Sequence, residues 1–280
     1  MRFGISTHLY HDQKLDRSHL AQVAGYGFES IELFATRSHF DYRDPAAVSA
    51  LQEWLETTGL SLLSVHAPIT ERFTLGDKWA PTYSIAAGDA ARRQAAVDEA
   101  AAALAIAKQI PFKLLVVHVG TPDSRATPND NNRAAATRSV EEICRVAEPL
   151  GVQVALEVIP NALSTPSALV ALLERELESA PGICLDFGHA FLGGDIPDAI
   201  EIVSEHLIAT HVHDNHRRND EHLAPYLGAI DWDAALMSMQ KIGFEGTYLM
   251  ELANTGSPVD VLEAACRARQ QFERALTYGF

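Results

Sequence analysis

The stretch VQVALEVIP (residues 152–160) is almost entirely apolar, and its one acidic side chain is Glu157. A nearly continuous apolar run of this length predicts a strand buried on both faces, as in a parallel sheet. A carboxylate near the end of such a strand needs a partner, because an isolated buried charge is expensive. The stretch therefore predicts a buried parallel strand with a polar site at its carboxyl end.

Similar apolar runs alternate with longer helical patterns along the chain. Eight strands, each followed by a helix, in 280 residues have the proportions of an α/β fold of the (β/α)8 TIM barrel class. A doubly wound open sheet is the alternative, but no G-x-G-x-x-G motif follows the first strand. Without a linker rich in Pro, Gly or Ser, we predict a single domain over residues 1–280. The predicted strands are Arg2–Thr7, Ser30–Phe34, Ser61–His66, Lys113–Val119, Val152–Ile159, Gly182–Asp186, Leu207–Val212 and Thr247–Leu252.

Several helix boundaries are predicted from capping residues. Thr127, Thr165 and Ser257 each precede a proline, and a hydroxyl cap followed by proline at the first helical position is typical of a helix start. Asp231 is predicted to cap another helix, which Gly243 would end.

The longest connection covers residues 67–88 and follows the third strand, on the side where barrel loops build active sites. It is a candidate lid. Aromatic residues that are candidates for apolar walls of a site are Phe34, Phe73, Trp79 and Trp232.

Charge and composition restrict the classes of partner. Asp and Glu number 37 against 22 Lys and Arg, for a net charge of -15, which disfavours nucleic acid and anionic membranes and favours a small-molecule substrate. The opening MRFGIST is typical of a buried strand rather than of a secretory signal, so we expect a cytoplasmic protein without a membrane span. The three cysteines lack a C-x-x-C spacing and are expected to be reduced thiols.

Six successive predicted strands finish on a side chain that can bind a metal. The carboxyl ends of the strands in a parallel barrel meet at one mouth, so these side chains are expected to be neighbours. A single polar residue at a strand end most often bonds to the backbone, but six in a row favour a shared cause. A divalent cation is the partner that buried carboxylates need. The six residues are His66, His118, Glu157, Asp186, His211 and Glu251.

Flanking residues extend this set. His189 lies just past the sixth strand, and HVHDNHRRNDEH (residues 211–222) adds Asp220 and His222. His213 or Asp214 is expected to orient a ligand rather than to bind the ion. Imidazoles and carboxylates without cysteine favour Zn, Mn or Co. Nine candidate ligands exceed the need of one ion, so one to three ions remain open.

These residues resemble the xylose isomerase-like TIM barrel superfamily, which includes sugar isomerases and epimerases and the endonuclease IV group. The similarity runs from FGIST to LMEL. Glu157, Asp186, His211 and Glu251 fall where ketose 3-epimerases hold one divalent metal. The resemblance implies that Glu157 and Glu251 form an acid/base pair acting through an enediolate. It also implies that the residues at the positions of His189 and Arg217 contact substrate oxygens.

The full set of nine also resembles the three-zinc site of endonuclease IV, in which Glu157 would bridge two ions and His189, Asp220 and His222 would hold the third. We expect an isomerase or epimerase acting on a sugar, sugar phosphate or related polyol. The alternatives are a two- or three-zinc phosphoesterase acting on a small substrate rather than DNA, and a barrel that binds a metal or sugar without turnover. The sequence leaves open whether the protein forms a homo-oligomer.

Overall fold

The computed structural model describes residues 2–73, 80–254 and 256–278. The strands of this part of the chain are β1 Arg2–Ser6, β2 Ser30–Phe34, β3 Ser61–His66, β4 Thr70–Arg72, β5 Ala80–Thr82, β6 Leu114–His118, β7 Gln153–Glu157, β8 Gly182–Asp186, β9 Leu207–Val212 and β10 Thr247–Met250. The helices are α1 Arg17–Gly25, α2 Pro45–Thr58, α3 Ala90–Leu104, α4 Arg133–Ala147, α5 Pro166–Arg175, α6 Phe187–Gly193, α7 Ile196–Val203, α8 Trp232–Lys241 and α9 Pro258–Tyr278.

Eight of the strands form a closed barrel in the order β1-β10-β9-β8-β7-β6-β3-β2. All neighbouring pairs are parallel, and the first strand closes the ring by pairing with the last, with Arg2 opposite Thr247. The predicted (β/α)8 TIM barrel is therefore confirmed, and the open doubly wound sheet is excluded.

The candidate lid contains a short antiparallel hairpin of β4 and β5 rather than irregular loop alone. Thr70 pairs with Thr82 and Arg72 with Ala80. Residues 74–79, including Trp79, lie outside the described residues. The hairpin starts four residues after the end of β3, so it stands at the carboxyl-terminal mouth of the barrel.

The capping predictions are confirmed at two helices and wrong at one, and the predicted start of a third helix after Ser257 is confirmed. Thr165 accepts a hydrogen bond from the Ala168 amide, Asp231 caps α8, and α9 begins at Pro258. Thr127 starts no helix, because its amide and hydroxyl both donate to the Asp130 carboxylate. The helix begins six residues later, at Arg133, after the Asn132 cap.

The inside of the barrel is filled by small side chains near its middle. Val116, Ala155, Cys184 and Ala209 form an apolar cluster separate from the main core, which lies between barrel and helices. Below it, toward the amino ends of the strands, is a cavity of about 290 Å³. Its lining includes Gln153, Thr210, Glu32 and His211. The interior is thus less completely packed than is usual for this architecture.

No helix among the described residues is long and apolar enough to cross a membrane. Cys144, Cys184 and Cys266 are free thiols, as expected.

Candidate metal centre

The barrel brings the predicted strand-end residues to one mouth. His66, His118, Glu157 and Asp186 are the last residues of their strands, and His211 is the last but one of β9. The register places His118 beside Glu157 and Asp186 beside His211. Glu251 follows directly after β10. Closure of the barrel therefore gathers at one mouth residues that are up to 185 positions apart in sequence, from His66 to Glu251.

The central group consists of Glu157, Asp186, His211 and Glu251, each at most 3% exposed. One potential ligand atom from each residue lies within 4.8 Å of the others. His211 Nδ1 is 3.3 Å from Glu157 Oε1, 3.5 Å from Glu251 Oε2 and 3.9 Å from Asp186 Oδ2. Three carboxylates thus converge on one imidazole nitrogen.

The central group has the character of a cation site. His211 Nδ1 and Glu157 Oε1 are buried without a hydrogen-bond partner, which is costly unless another group satisfies them. Burial opposes charge on Glu157, but the neighbouring His118 and His211 hold its pKa well below the usual range. Oxygen and nitrogen donors of this kind fit a divalent ion such as Zn, Mn or Co.

A second group shares Glu157 with the first. The other carboxylate oxygen of Glu157, Oε2, lies 3.2 Å from His66 Nε2 and 3.1 Å from His118 Nε2. Nδ1 of His66 donates to the Ala67 carbonyl at 2.8 Å, so Nε2 carries the lone pair when the ring is neutral. Burial lowers the pKa of His66, but the hydrogen bond to Glu157 and its charge raise it to about 9. Glu157 therefore joins two potential ion positions.

A third group contains His189, His213, Asp220 and His222. His189 Nε2 and His222 Nε2 lie 3.1 and 3.2 Å from Asp220 Oδ2. Their Nδ1 atoms donate to backbone carbonyls, of Val158 at 3.2 Å and Glu251 at 3.0 Å. These bonds leave both Nε2 atoms facing Asp220, whose side chain is 33% exposed, so this group lies nearest to solvent.

His213 takes part in this group and also contacts the central one. Its Nε2 is 3.0 Å from Asp186 Oδ1, and its ring stacks on His222 with 3.9 Å between centroids. A Cβ on Gly188 would lie 2.0 Å from His213 Cε1, so only glycine fits there. The expectation that His213 orients a ligand agrees with its contact to Asp186.

Asp214 differs from the histidines around it in that its side chain binds the backbone of a loop. Its carboxylate accepts hydrogen bonds from the backbone amides of Asn215, Tyr226 and Ile230 and from the indole of Trp232. It therefore holds together the loop that carries Asp220. Trp232 is 1% exposed in the core, so the expectation that it forms a site wall is wrong.

Arg217 lies apart from the three groups. It has a positive φ of 62°, its guanidinium lies 4.8 Å above the Phe191 ring, and Nη2 donates to the Gly194 carbonyl at 2.9 Å. None of the contacts found among the described residues joins Arg217 to a predicted ligand.

Two features of the site were missed from the sequence. Glu32 lies beneath His211, with its Oε2 3.2 Å from His211 Nε2. The His8 ring lies 4.9 Å from both the His222 and Phe34 rings and 4.7 Å from His11, forming an aromatic wall beside the third group. A charged residue inside the apolar run SIELF was the available signal for Glu32.

Comparison with known proteins shows which family the chain belongs to. The model of the family described as xylose isomerase-like TIM barrel matches residues 20–274. The chain is 26% identical over 266 residues to the uncharacterized protein MJ1311 of Methanocaldococcus jannaschii, covering 91% of this chain and 84% of that protein. It is 30% identical over 151 residues to the uncharacterized protein y4fM of Sinorhizobium fredii, covering 51% and 48%.

Solved structures share the whole fold. A D-tagatose 3-epimerase-like protein has a TM-score of 0.79 at 23% identity, covering 99% of this chain and 98% of that one. D-psicose 3-epimerase, solved in the presence of D-fructose, has 0.76 at 18%, covering 100% of both. The IOLI protein with a bound zinc atom has 0.75 at 15%, covering 98% of both. By its family match and its closed barrel, the chain belongs to the xylose isomerase-like TIM barrel family.

Proposed function

We propose that the protein is a divalent-metal-dependent isomerase or epimerase acting on a sugar, a sugar phosphate or a related polyol. The observation that carries the proposal is the central group, in which Glu157 and Glu251 both approach His211 Nδ1 from a buried position. The folds of a D-tagatose 3-epimerase-like protein and of D-psicose 3-epimerase support the same class of substrate.

The roles of the residues follow from their contacts. An ion held by Glu157, Asp186, His211 and Glu251 would polarise a carbonyl and the neighbouring hydroxyl of a sugar. The ion pairs of Glu251 run through Oε2, to His211 at 3.5 Å and His222 at 3.7 Å, which leaves Oε1 to accept a proton from carbon. Glu157 would be the second member of the acid/base pair, acting on the other face of that carbon. A positioned carboxylate of this kind contributes about 10²–10⁴-fold in rate.

His189 and Arg217 stay in the proposal as residues that bind substrate hydroxyls, although the structure gives both of them other partners. His189 faces Asp220, and Arg217 contacts the carboxyl-terminal end of α6. Phe34 is 2% exposed and packs edge-on against His8, so His8 rather than Phe34 would border a bound sugar.

The test uses ketoses and their phosphates in D₂O with protein loaded with Mn, Co or Zn. We expect deuterium to enter the substrate next to the carbonyl and an isomer to form, both followed by NMR. Glu157→Gln should abolish both and reduce bound metal while circular dichroism stays unchanged. Glu99→Gln is the matched control, because Glu99 is also buried but pairs with Tyr42 and Arg43 away from the site. A fully active Glu157→Gln would contradict the assignment.

A second candidate is a multinuclear phosphoesterase. The specific observation in its favour is that Glu157 is shared and that the second and third groups are assembled beside the first. Ions held by these groups would supply a nucleophile from water at neutral pH and neutralise charge on a phosphoester. The net charge of -15 favours a small phosphodiester over DNA.

The number of ions distinguishes the two candidates. Elemental analysis of protein purified without added metal should give about one ion per chain for the isomerase or epimerase, and two or three for the phosphoesterase. Turnover of ketoses should accompany a count of one ion, and hydrolysis of bis(p-nitrophenyl) phosphate should accompany a count of two or three. Tight metal binding without turnover in either assay would favour a non-catalytic binding barrel.

A further inference from the structure

Glu32 is a fully buried carboxylate in the middle of β2, facing the inside of the barrel. Ser6 Oγ donates to its Oε1 at 3.1 Å, and Ser64 Oγ donates to its Oε2 at 2.9 Å. Its remaining partner is Nε2 of His211 at 3.2 Å. The side chain thus receives hydroxyl donors from β1 and β3, the strands on either side, and reaches across the barrel to β9.

His211 presents its two ring nitrogens to opposite sides. Nδ1 faces the carboxylates of the central group, and Nε2 faces Glu32. A neutral imidazole has one N–H, and a carboxylate can only accept. The proton therefore belongs on Nε2, where it is donated to Glu32, and the lone pair on Nδ1 faces the central group.

A cavity lies below this arrangement. Glu32, Ser64 and His211 all line the cavity of about 290 Å³ at the base of the barrel. On the side of the cavity, hydrogen bonds add to packing in fixing the orientation of these side chains. The hydroxyls of Ser6 and Ser64 fix Glu32, and Glu32 in turn fixes the ring above it.

We propose that Glu32 is a positioning residue for the central group, which sets the tautomer and ring orientation of His211 and so strengthens metal binding through Nδ1. The proposal rests on the metal site of the proposed function and adds a residue that does not touch the ion. Carboxylates that orient a metal-binding histidine are typically worth about 10–100-fold in metal affinity.

The experiment measures zinc affinity by competition with a fluorescent chelator, together with the ring ¹⁵N signals of His211 in the zinc-loaded protein. Glu32→Gln keeps the shape of the side chain and removes its charge. We expect affinity to fall by about 10–100-fold and the signal of the hydrogen-bonded Nε2–H to shift. Glu99→Gln, the buried control away from the site, should bind zinc like the wild type.

A second variant keeps the test valid if Glu32→Gln does not fold. Ser64→Ala retains the carboxylate but removes one of its two hydroxyl donors, and should weaken zinc binding in the same direction by a smaller factor. Wild-type affinity in folded Glu32→Gln would overturn the proposal, as would wild-type affinity in Ser64→Ala if only that variant folds. A wild-type protein that binds no divalent metal would contradict the proposed function and this proposal together.

Discussion

His39 is a buried histidine outside the three groups, and its hydrogen bonds identify its neutral form. Nδ1 lies 2.7 Å from the Gln13 carbonyl, to which it donates, and Nε2 lies 3.2 Å from Thr7 Oγ1. Because Thr7 Oγ1 also accepts from the Phe34 amide, its hydroxyl proton is free to be donated to Nε2. Both ring nitrogens are therefore satisfied without a second proton.

This environment predicts a pH dependence of stability. Burial lowers the pKa of His39 to about 4, from 6.5 in the unfolded chain. Between these values the unfolded chain binds more protons, so the free energy of unfolding falls as pH falls, by roughly 3 kcal/mol in total. His39→Asn keeps a donor for Gln13 and should remove this loss, as measured by urea unfolding of metal-free protein at pH 7 and pH 4.5.

His206→Asn is the matched control for His39→Asn. Its side chain is 26% exposed and pairs with Glu174 on the outside of the barrel, so it should leave the pH dependence as in the wild type. An equal loss of stability at pH 4.5 in His39→Asn and in the wild type would show that His39 does not contribute.

The location of single site residues was predictable from the sequence where position in a strand determines the direction of the side chain. All nine predicted ligands lie in the three groups, because six end their strands or flank the end and the other three follow closely, His189 in α6 and Asp220 and His222 on a loop. Metal binding by them stays a prediction. Glu32 was not predictable because its partner His211 is 179 residues away in sequence. The role of Asp214 was not predictable because its partners are backbone amides and an indole that only the folded loop brings together.

The loop between β9 and α8 depends on one carboxylate. Asp214 Oδ1 and Oδ2 together accept three backbone amides and one indole, spread over residues 215–232. A Cβ on Gly228 would lie 2.3 Å from Asp214 Oδ1, so the loop also closes tightly over this side chain. The same loop carries Asp220 and His222 to the third group.

Asp214→Ala should therefore loosen the loop and weaken the third group. Each buried donor left without a partner costs about 1–3 kcal/mol, so we expect a loss of about 4 kcal/mol or more in the free energy of unfolding. Urea unfolding measures the loss, and trypsin should cleave faster at the exposed Arg217 and Arg218.

Asp231→Ala controls for Asp214→Ala, since it removes a carboxylate from the start of α8 but only one capping bond, worth about 1 kcal/mol. Equal stability and equal proteolysis of the two variants would contradict the anchoring role of Asp214.

The starts of helices were predictable where the capping hydrogen bond is local and the capping residue has no stronger partner nearby. Thr165 and Asp231 cap as expected, each accepting the backbone amide of the residue three positions later. Thr127 fails because Asp130, three residues later, captures both of its donors in a turn. That competition depends on how the turn folds against the barrel, which the spacing of residues does not show.

The whole barrel was predictable because its eight strands are buried on both faces and so appear as separate apolar runs. Each predicted strand overlaps an observed one, and their ends differ by at most two residues. The cavity at the base was not predictable, because it depends on which small side chains face each other across the interior.

Pairing of β1 with β10 has a consequence for synthesis of the chain. β1 is made before the other barrel strands, but β10, one of the two strands that pair with it, is made more than 200 residues later. Until then the nascent sheet has two open edges, with unpaired backbone groups available to other chains. Insertion of the last strand must therefore complete folding, and a chaperone that covers these edges during translation would raise the yield of native protein.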